Sequence, residues 1–202
     1  MGLMWLWLFL WAANSFQKNH RWISKRPCRS TYACRASAPS SKGAFADAYA
    51  DEMPKWLHDR CIELGYEKPT EVQALALPHV FGGEDVILQA HTGSGKTLTY
   101  ALPILSKIDP NRAAIQAVVV VPTRELGLQV AGVLRQLSSS SEDKILVMSV
   151  MEGSKNRRQQ LWAVAEPPHV VVGNPRSLQK LVDSGRLRLA AVNVVVVDEV
   201  NT

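Results

Sequence analysis

The 202-residue sequence predicts an α/β fold, a mostly parallel sheet flanked by helices. Three observations predict it. Residues 118–121 and 194–197 are apolar at every position, as strands buried on both faces are. Amphipathic helical stretches alternate with such runs at the spacing of right-handed βαβ units. A glycine-bearing segment, Gly93-Ser94-Gly95, separates one strand-like run from a helix. An apolar content of 47% supports a packed core over bulk disorder.

The elements follow in order. Met53, Leu57, Cys61 and Leu64 recur at helical spacing and predict a helix over residues 51–64, with Pro54 in its first turn. Gly65 ends it. Cys61 falls on its apolar face and reads as a small core residue. Thr70 opens a second helix reaching residue 81, and residues 82–85 make a turn. Strands are expected at 86–89, 117–121, 145–150, 169–172 and 192–197, and helices at 95–108, 123–137, 154–165 and 176–184. Residues 138–141 form a short polar loop, and no internal repeat is present.

The formal charge of +5 is unevenly spread. Residues 1–46 hold seven bases and no acid, which leaves 16 bases against 18 acids in the rest. The basic character belongs to the leader, so any RNA contact has to come from local groups. Residues 3–13 are an apolar, tryptophan-rich run of eleven, too short to cross a hydrocarbon core of about 30 Å or to give stable membrane association. The 33 residues after it carry Arg, Lys and Ser without acid, the composition of an organelle transit peptide. The leader is expected to be disordered or cleaved. It reads as plastid-directed, with mitochondrial targeting or a mis-assigned start as alternatives. Three cysteines without a paired spacing fit a reducing compartment.

Ala90-His91-Thr92-Gly93-Ser94-Gly95-Lys96-Thr97 lies between a strand and a helix, close to the P-loop pattern, with Ala90 where that pattern has Gly. Gly93 and Gly95 let the backbone curl so that the N–H groups of Thr92 to Thr97 point inward at phosphate oxygens. The helix starting near Lys96 adds its positive end. Lys96 is expected on the β- and γ-phosphates of ATP, and Thr97 on Mg²⁺. Strand 192–197 delivers Asp198 and Glu199 at its C-terminal edge, where open α/β sheets bind ligands. Asp198 would hold Mg²⁺, and Glu199 would orient and activate the attacking water.

These residues resemble the DEAD-box ATP-dependent RNA helicases, in their first RecA-like domain. Residues 65–73, Gly-Tyr-Glu-Lys-Pro-Thr-Glu-Val-Gln, are similar to the family's Q motif. The resemblance implies that Gln73 recognises adenine, with Tyr66 in the same motif. A Gln amide can donate to N7 and accept from N6 of adenine at once. The competing reading is that Gln73 closes a capping box with Thr70. The family also stacks an upstream aromatic on the base. Phe45 is the favoured candidate, and Tyr49 the other.

Pro122-Thr123-Arg124-Glu125-Leu126-Gly127 is similar to motif Ia, which implies RNA-backbone contacts by Pro122, Thr123 and Arg124. The competing reading there is an N-cap with a surface ion pair. Gly153 retains half of a family Gly-Gly contact with RNA. Asn174-Pro175-Arg176-Ser177 replaces a Thr-Pro-Gly-Arg motif, keeping only the proline, with Arg176 as a stand-in for the lost arginine. The likeness covers residues 45–200, and its wording at 113–130 and 165–168 is most like a plant and algal plastid branch.

The sequence departs from the family at Asp198-Glu199-Val200-Asn201, which stands for Asp-Glu-Ala-Asp, and it stops at Thr202. The family's Ser-Ala-Thr motif and second domain do not follow. A truncated RecA-like domain is therefore expected, nearly inactive as an ATPase by itself, because the family's arginine fingers, worth about 10³–10⁵ in rate, lie in the second domain. In the family, the strand bearing Ser-Ala-Thr lies between the P-loop strand and the Asp-Glu strand. A gap in the sheet is expected there. A non-catalytic module that binds nucleotide or RNA and regulates a full-length helicase is the alternative.

Overall fold

The computed structural model describes residues 31–32, 49–151 and 167–199. The expected helix over 154–165 lies outside the described residues, as do Phe45, Gly153 and Asn201.

Four strands run parallel in the order β4-β5-β3-β6: β3 (Ala117–Val120), β4 (Val147–Val150), β5 (Val170–Gly173) and β6 (Val194–Val197). Two apolar clusters cover this sheet. Val119, Val121, Val170 and Val172 point into a cluster with Leu57, Leu77, Leu102, Leu105, Val130 and Leu134. Val118 and Val171 point the other way, onto Leu178, Leu181 and Leu187. Side chains alternate across a strand, so two covered faces require apolar residues at every position, and the valine runs supply them.

The first cluster is built by α1 (Lys55–Glu63), α2 (Glu71–Phe81), α3 (Lys96–Lys107) and α4 (Arg124–Ser138). The second is capped by α5 (Pro175–Asp183). Pro54 is the N-cap of α1, one place outside the helix, so α1 starts later than the spacing predicts.

The strand before the glycine loop, β2 (Ile87–Leu88), does not join this sheet. It pairs in parallel with β1 (Thr31–Tyr32), from the segment read as a leader outside the fold. No ladder joins β2 to β6 among the described strands, and Ile87 is 59% and Val195 48% exposed. The expectation that β6 is buried on both faces therefore fails. Val194 and Val196 pack on the first cluster, while Val195 has no covering layer.

Candidate nucleotide site

The loop between β2 and α3 is curled, not extended. Gly93 and Gly95 sit at φ 82° and 88°, where an L side chain is strained, and Ser94 N donates back to His91 O at 3.4 Å. Gly95 caps α3, so the helix begins at Lys96 with its N–H groups facing the loop. Lys96 Nζ donates to Ala90 O at 2.8 Å, folded across the loop's own backbone. Ser94 Oγ is buried without a hydrogen-bond partner. Thr92 is exposed at the loop's rim.

Asp198 and Glu199 follow β6. Asp198 N extends the ladder by donating to Val120 O at 2.9 Å. The Asp198 carboxylate is held twice: Oδ2 accepts from the Tyr100 hydroxyl at 2.8 Å and Oδ1 from Glu199 N at 3.0 Å. Tyr100 lies on α3, three residues beyond Thr97. Burial, and then the Asp198 carboxylate, push the Tyr100 hydroxyl well above the ordinary tyrosine range, so it remains a donor. Lys96, Thr97, Asp198 and Glu199 are thus gathered around one helix turn and one strand end. Glu199 is at φ 53°, the one described non-glycine residue in the left-handed region.

The sequence reading did not single out Tyr100. The signal was its spacing: residues three apart share a helix face, so a phenol at position 100 follows the Thr97 hydroxyl.

The 65–73 segment packs beneath the loop. Thr70 and Gln73 form both bonds of a capping box, the competing reading of this motif. They also reach the loop. Thr70 Oγ1 donates to Ser94 O at 2.8 Å, and Gln73 Nε2 donates to Gly95 O at 3.1 Å. Gln73 is 3% exposed, and its Oε1 accepts from Thr70 N at 2.9 Å. Each end of the amide thus has one protein partner, while the group has capacity for two bonds at each. Tyr66 packs against the first core cluster, and burial followed by neighbouring Cys61 raises its hydroxyl pKa. Tyr49 is buried in the same cluster, its ring centroid 6.0 Å from that of Phe81. It is occupied as a core residue, so it is no candidate for stacking on a base.

Parallel pairing brings the C-terminal ends of β3, β5 and β6 to one edge. Pro122, Thr123 and Arg124 follow β3. Thr123 caps α4, accepting from Leu126 N at 3.3 Å, and Arg124 is exposed. Arg124 makes no ion pair among the described residues, so the surface pair of the competing reading does not form. Asn174 caps α5 with its Oδ1 accepting from Ser177 N at 2.9 Å, Pro175 is at N1, and Arg176 is exposed. The altered 174–177 segment therefore keeps a well-formed helix N-terminus.

Among the described residues no three His, Cys, Asp or Glu side chains cluster as a metal cage, and no helix is long and apolar enough to cross a membrane. One carboxylate, held by Tyr100, and one hydroxyl on the same helix as that phenol fit Mg²⁺, which takes few protein ligands and completes its shell with phosphate oxygens and water.

The family model described as DEAD/DEAH box helicase matches residues 70–202. The chain is 46% identical over 152 residues to DEAD-box ATP-dependent RNA helicase 58, chloroplastic, of Arabidopsis thaliana, covering 74% of this chain and 32% of that protein. Its namesake in Oryza sativa subsp. japonica is 42% identical over 162 residues, covering 80% and 36%. The chain thus spans about a third of the length of these curated relatives. Among solved structures, S. cerevisiae Dbp5 bound to RNA and ADP BeF3 superposes with a TM-score of 0.66 at 25% identity, over 75% of this chain and 38% of that one. A hypothetical ATP-dependent RNA helicase from Sulfolobus tokodaii superposes with a TM-score of 0.62 at 32% identity, over 72% and 41%. With its curled loop, its acidic strand end and these matches, the chain belongs to the DEAD/DEAH box helicase family, in the RecA-like α/β fold.

Proposed function

We propose that this chain supplies the ATP-binding side of an RNA-dependent ATPase that separates RNA strands locally, and that it works in a plastid. The observation that carries the proposal is the Tyr100–Asp198 hydrogen bond. It sets the acidic end of β6 against the helix that opens from the glycine loop, although their strands share no ladder.

In this reading the N–H groups of Thr92 to Thr97 and the start of α3 hold the phosphates. Lys96 leaves Ala90 O and moves to the β- and γ-phosphates. Thr97 and Asp198 hold Mg²⁺, which supplies charge neutralisation on the phosphates when bound. Glu199 orients the attacking water. Gln73 uses the second bonding capacity at each end of its amide for adenine, and Tyr66 and Phe45 are the aromatic residues assigned to the base. Because Gln73 also bonds Gly95 O, reading the base and shaping the cradle fall to one side chain. Pro122, Thr123, Arg124 and Arg176 form the RNA track along the sheet edge, and Gly153 is assigned to RNA by its place in the sequence alone. The RNA-bound state of Dbp5 supports that assignment by likeness. The acid-free leader and the chloroplastic names of the two plant relatives support the plastid.

The test is nucleotide binding by the purified chain, followed with a fluorescent ATP analogue. Wild type is expected to prefer ATP over GTP. Lys96→Ala should weaken binding by about tenfold or more, roughly 1.4 kcal/mol, and Gln73→Ala should erode the ATP preference. A wild-type chain that binds no nucleotide, or a Lys96→Ala variant that binds as well as wild type, overturns the reading.

A further inference from the structure

We infer that Tyr100 is a positioning residue: its hydroxyl sets the orientation of the Asp198 carboxylate and ties it to the helix that opens from the glycine loop. The inference rests on the nucleotide-site reading above and adds a residue to it. The backbone at Asp198 is fixed by its ladder bond to Val120 O, which leaves the side-chain torsions to be decided. They are decided by two donors, Tyr100 to Oδ2 and Glu199 N to Oδ1. A carboxylate oxygen accepts more than one hydrogen bond, so both oxygens keep lone pairs for a hydrated cation. What the two donors remove is rotation of the carboxylate.

Tyr100 is suited to this because its two ends are secured differently. Its ring packs against the first core cluster, and its hydroxyl donates to Asp198 Oδ2. Thr97 is on α3 and Asp198 follows β6, elements whose strands lie in separate sheets. One phenol, three residues beyond the candidate hydroxyl ligand on the same helix, thus holds the candidate carboxylate ligand. A phenylalanine would fill the same space and lose only this link. The consequence is specific: losing the hydroxyl weakens the Mg²⁺-dependent part of nucleotide affinity and spares the part made by the loop and Lys96.

The experiment uses the full 202-residue chain as wild type, Tyr100→Phe, Asp198→Asn and the double variant. Binding of N-methylanthraniloyl-ADP is titrated in EDTA and across a Mg²⁺ series, with a melting curve for each protein. Tyr100→Phe is expected to raise the Mg²⁺ half-saturation by about tenfold, as for other groups that orient metal ligands, with EDTA affinity within about twofold of wild type. In the Asp198→Asn background the same change should have little further effect, since the phenol acts through that carboxylate. An unchanged Mg²⁺ half-saturation, or an equal loss with and without Mg²⁺, overturns the inference and leaves the nucleotide site standing. A wild type that binds nucleotide indifferently to Mg²⁺ overturns the metal assignment, and this inference with it.

Discussion

Gly95 and Gly93 share nearly the same left-handed backbone, at φ 88° and 82°, but not the same surroundings. A Cβ on Gly93 would meet nothing within 4 Å. A Cβ on Gly95 would collide with the Gln73 amide and lie 3.2 Å from Thr70 Oγ1. Gly93→Ala should therefore cost about 1–2 kcal/mol, from backbone strain alone. Gly95→Ala should cost roughly 1 kcal/mol more, because it also breaks the Gln73–Gly95 bond. Urea unfolding of the two variants measures the difference, and equal losses would show that the Gln73 contact adds nothing. Cys61 gives a second residue-scale prediction. It has no exposed surface, and burial pushes its thiol from 9.0 to about 11. Between those values the folded chain keeps a proton that the unfolded chain has released, so stability is full below pH 9 and falls as pH rises toward 11. The loss from this group is bounded at about 2–3 kcal/mol. Burial raises Tyr49 and Tyr66 in the same direction, so they add to the decline at higher pH. Cys61→Ala should start less stable at neutral pH yet lose less between about pH 8 and about pH 10.5, measured by urea midpoints.

At the scale of elements, His169 ties three segments together where the sheet begins. Leu146 N, just before β4, donates to its Nδ1 at 3.0 Å, which leaves Nε2 to carry the hydrogen and donate to Pro110 O at 3.2 Å. The ring is buried, so its loss strands a backbone N–H and a carbonyl together. His169→Phe should destabilise the chain by about 1–3 kcal/mol, read as a lower denaturant midpoint. An unchanged midpoint would mean that water reaches both groups. The sequence signals that worked for elements were those with a single physical cause. All-apolar runs marked strands covered on both faces, and Thr70 and Thr123 marked helix starts, because each cap needs a side-chain oxygen at one fixed place. Val195 shows where this stops: its run looks like the buried ones, but composition does not say which layer will be present to cover it. The pairing of Thr31–Tyr32 with β2 was illegible for a related reason, since two residues carry no periodicity and pairing depends on which edge is open. The candidate site was legible where backbone geometry dictates residue type, at Gly93, Gly95 and Lys96. It was not legible at Tyr100, whose role depends on a strand end 98 residues away.

On the scale of the whole molecule, basic charge is concentrated in residues 1–46 of the chain, and this predicts two kinds of RNA binding. Residues 47–202 carry two more acids than bases, so no broad positive field draws RNA to the sheet edge. There the exposed cations named for the RNA track are Arg124 and Arg176, and two phosphate contacts give a salt slope of about −1.4 for single-stranded RNA. The leader has seven bases and no acid, and it should attract any polyanion without regard to sequence or nucleotide state. A chain beginning at Thr31 loses Lys18, Arg21, Lys25, Arg26 and Arg29 while keeping the strand that pairs with β2. Its RNA affinity, by fluorescence anisotropy over a KCl series, should be weaker at low salt and its slope shallower, falling toward the two-contact value. Arg124→Ala in that shortened chain should remove about 0.7 more from the slope, one phosphate contact. Nucleotide affinity should not change in either protein, since neither alteration touches the loop, Gln73 or Asp198. A shortened chain with an undiminished salt slope would place the RNA contacts on the folded domain, at cations other than the two on the sheet edge.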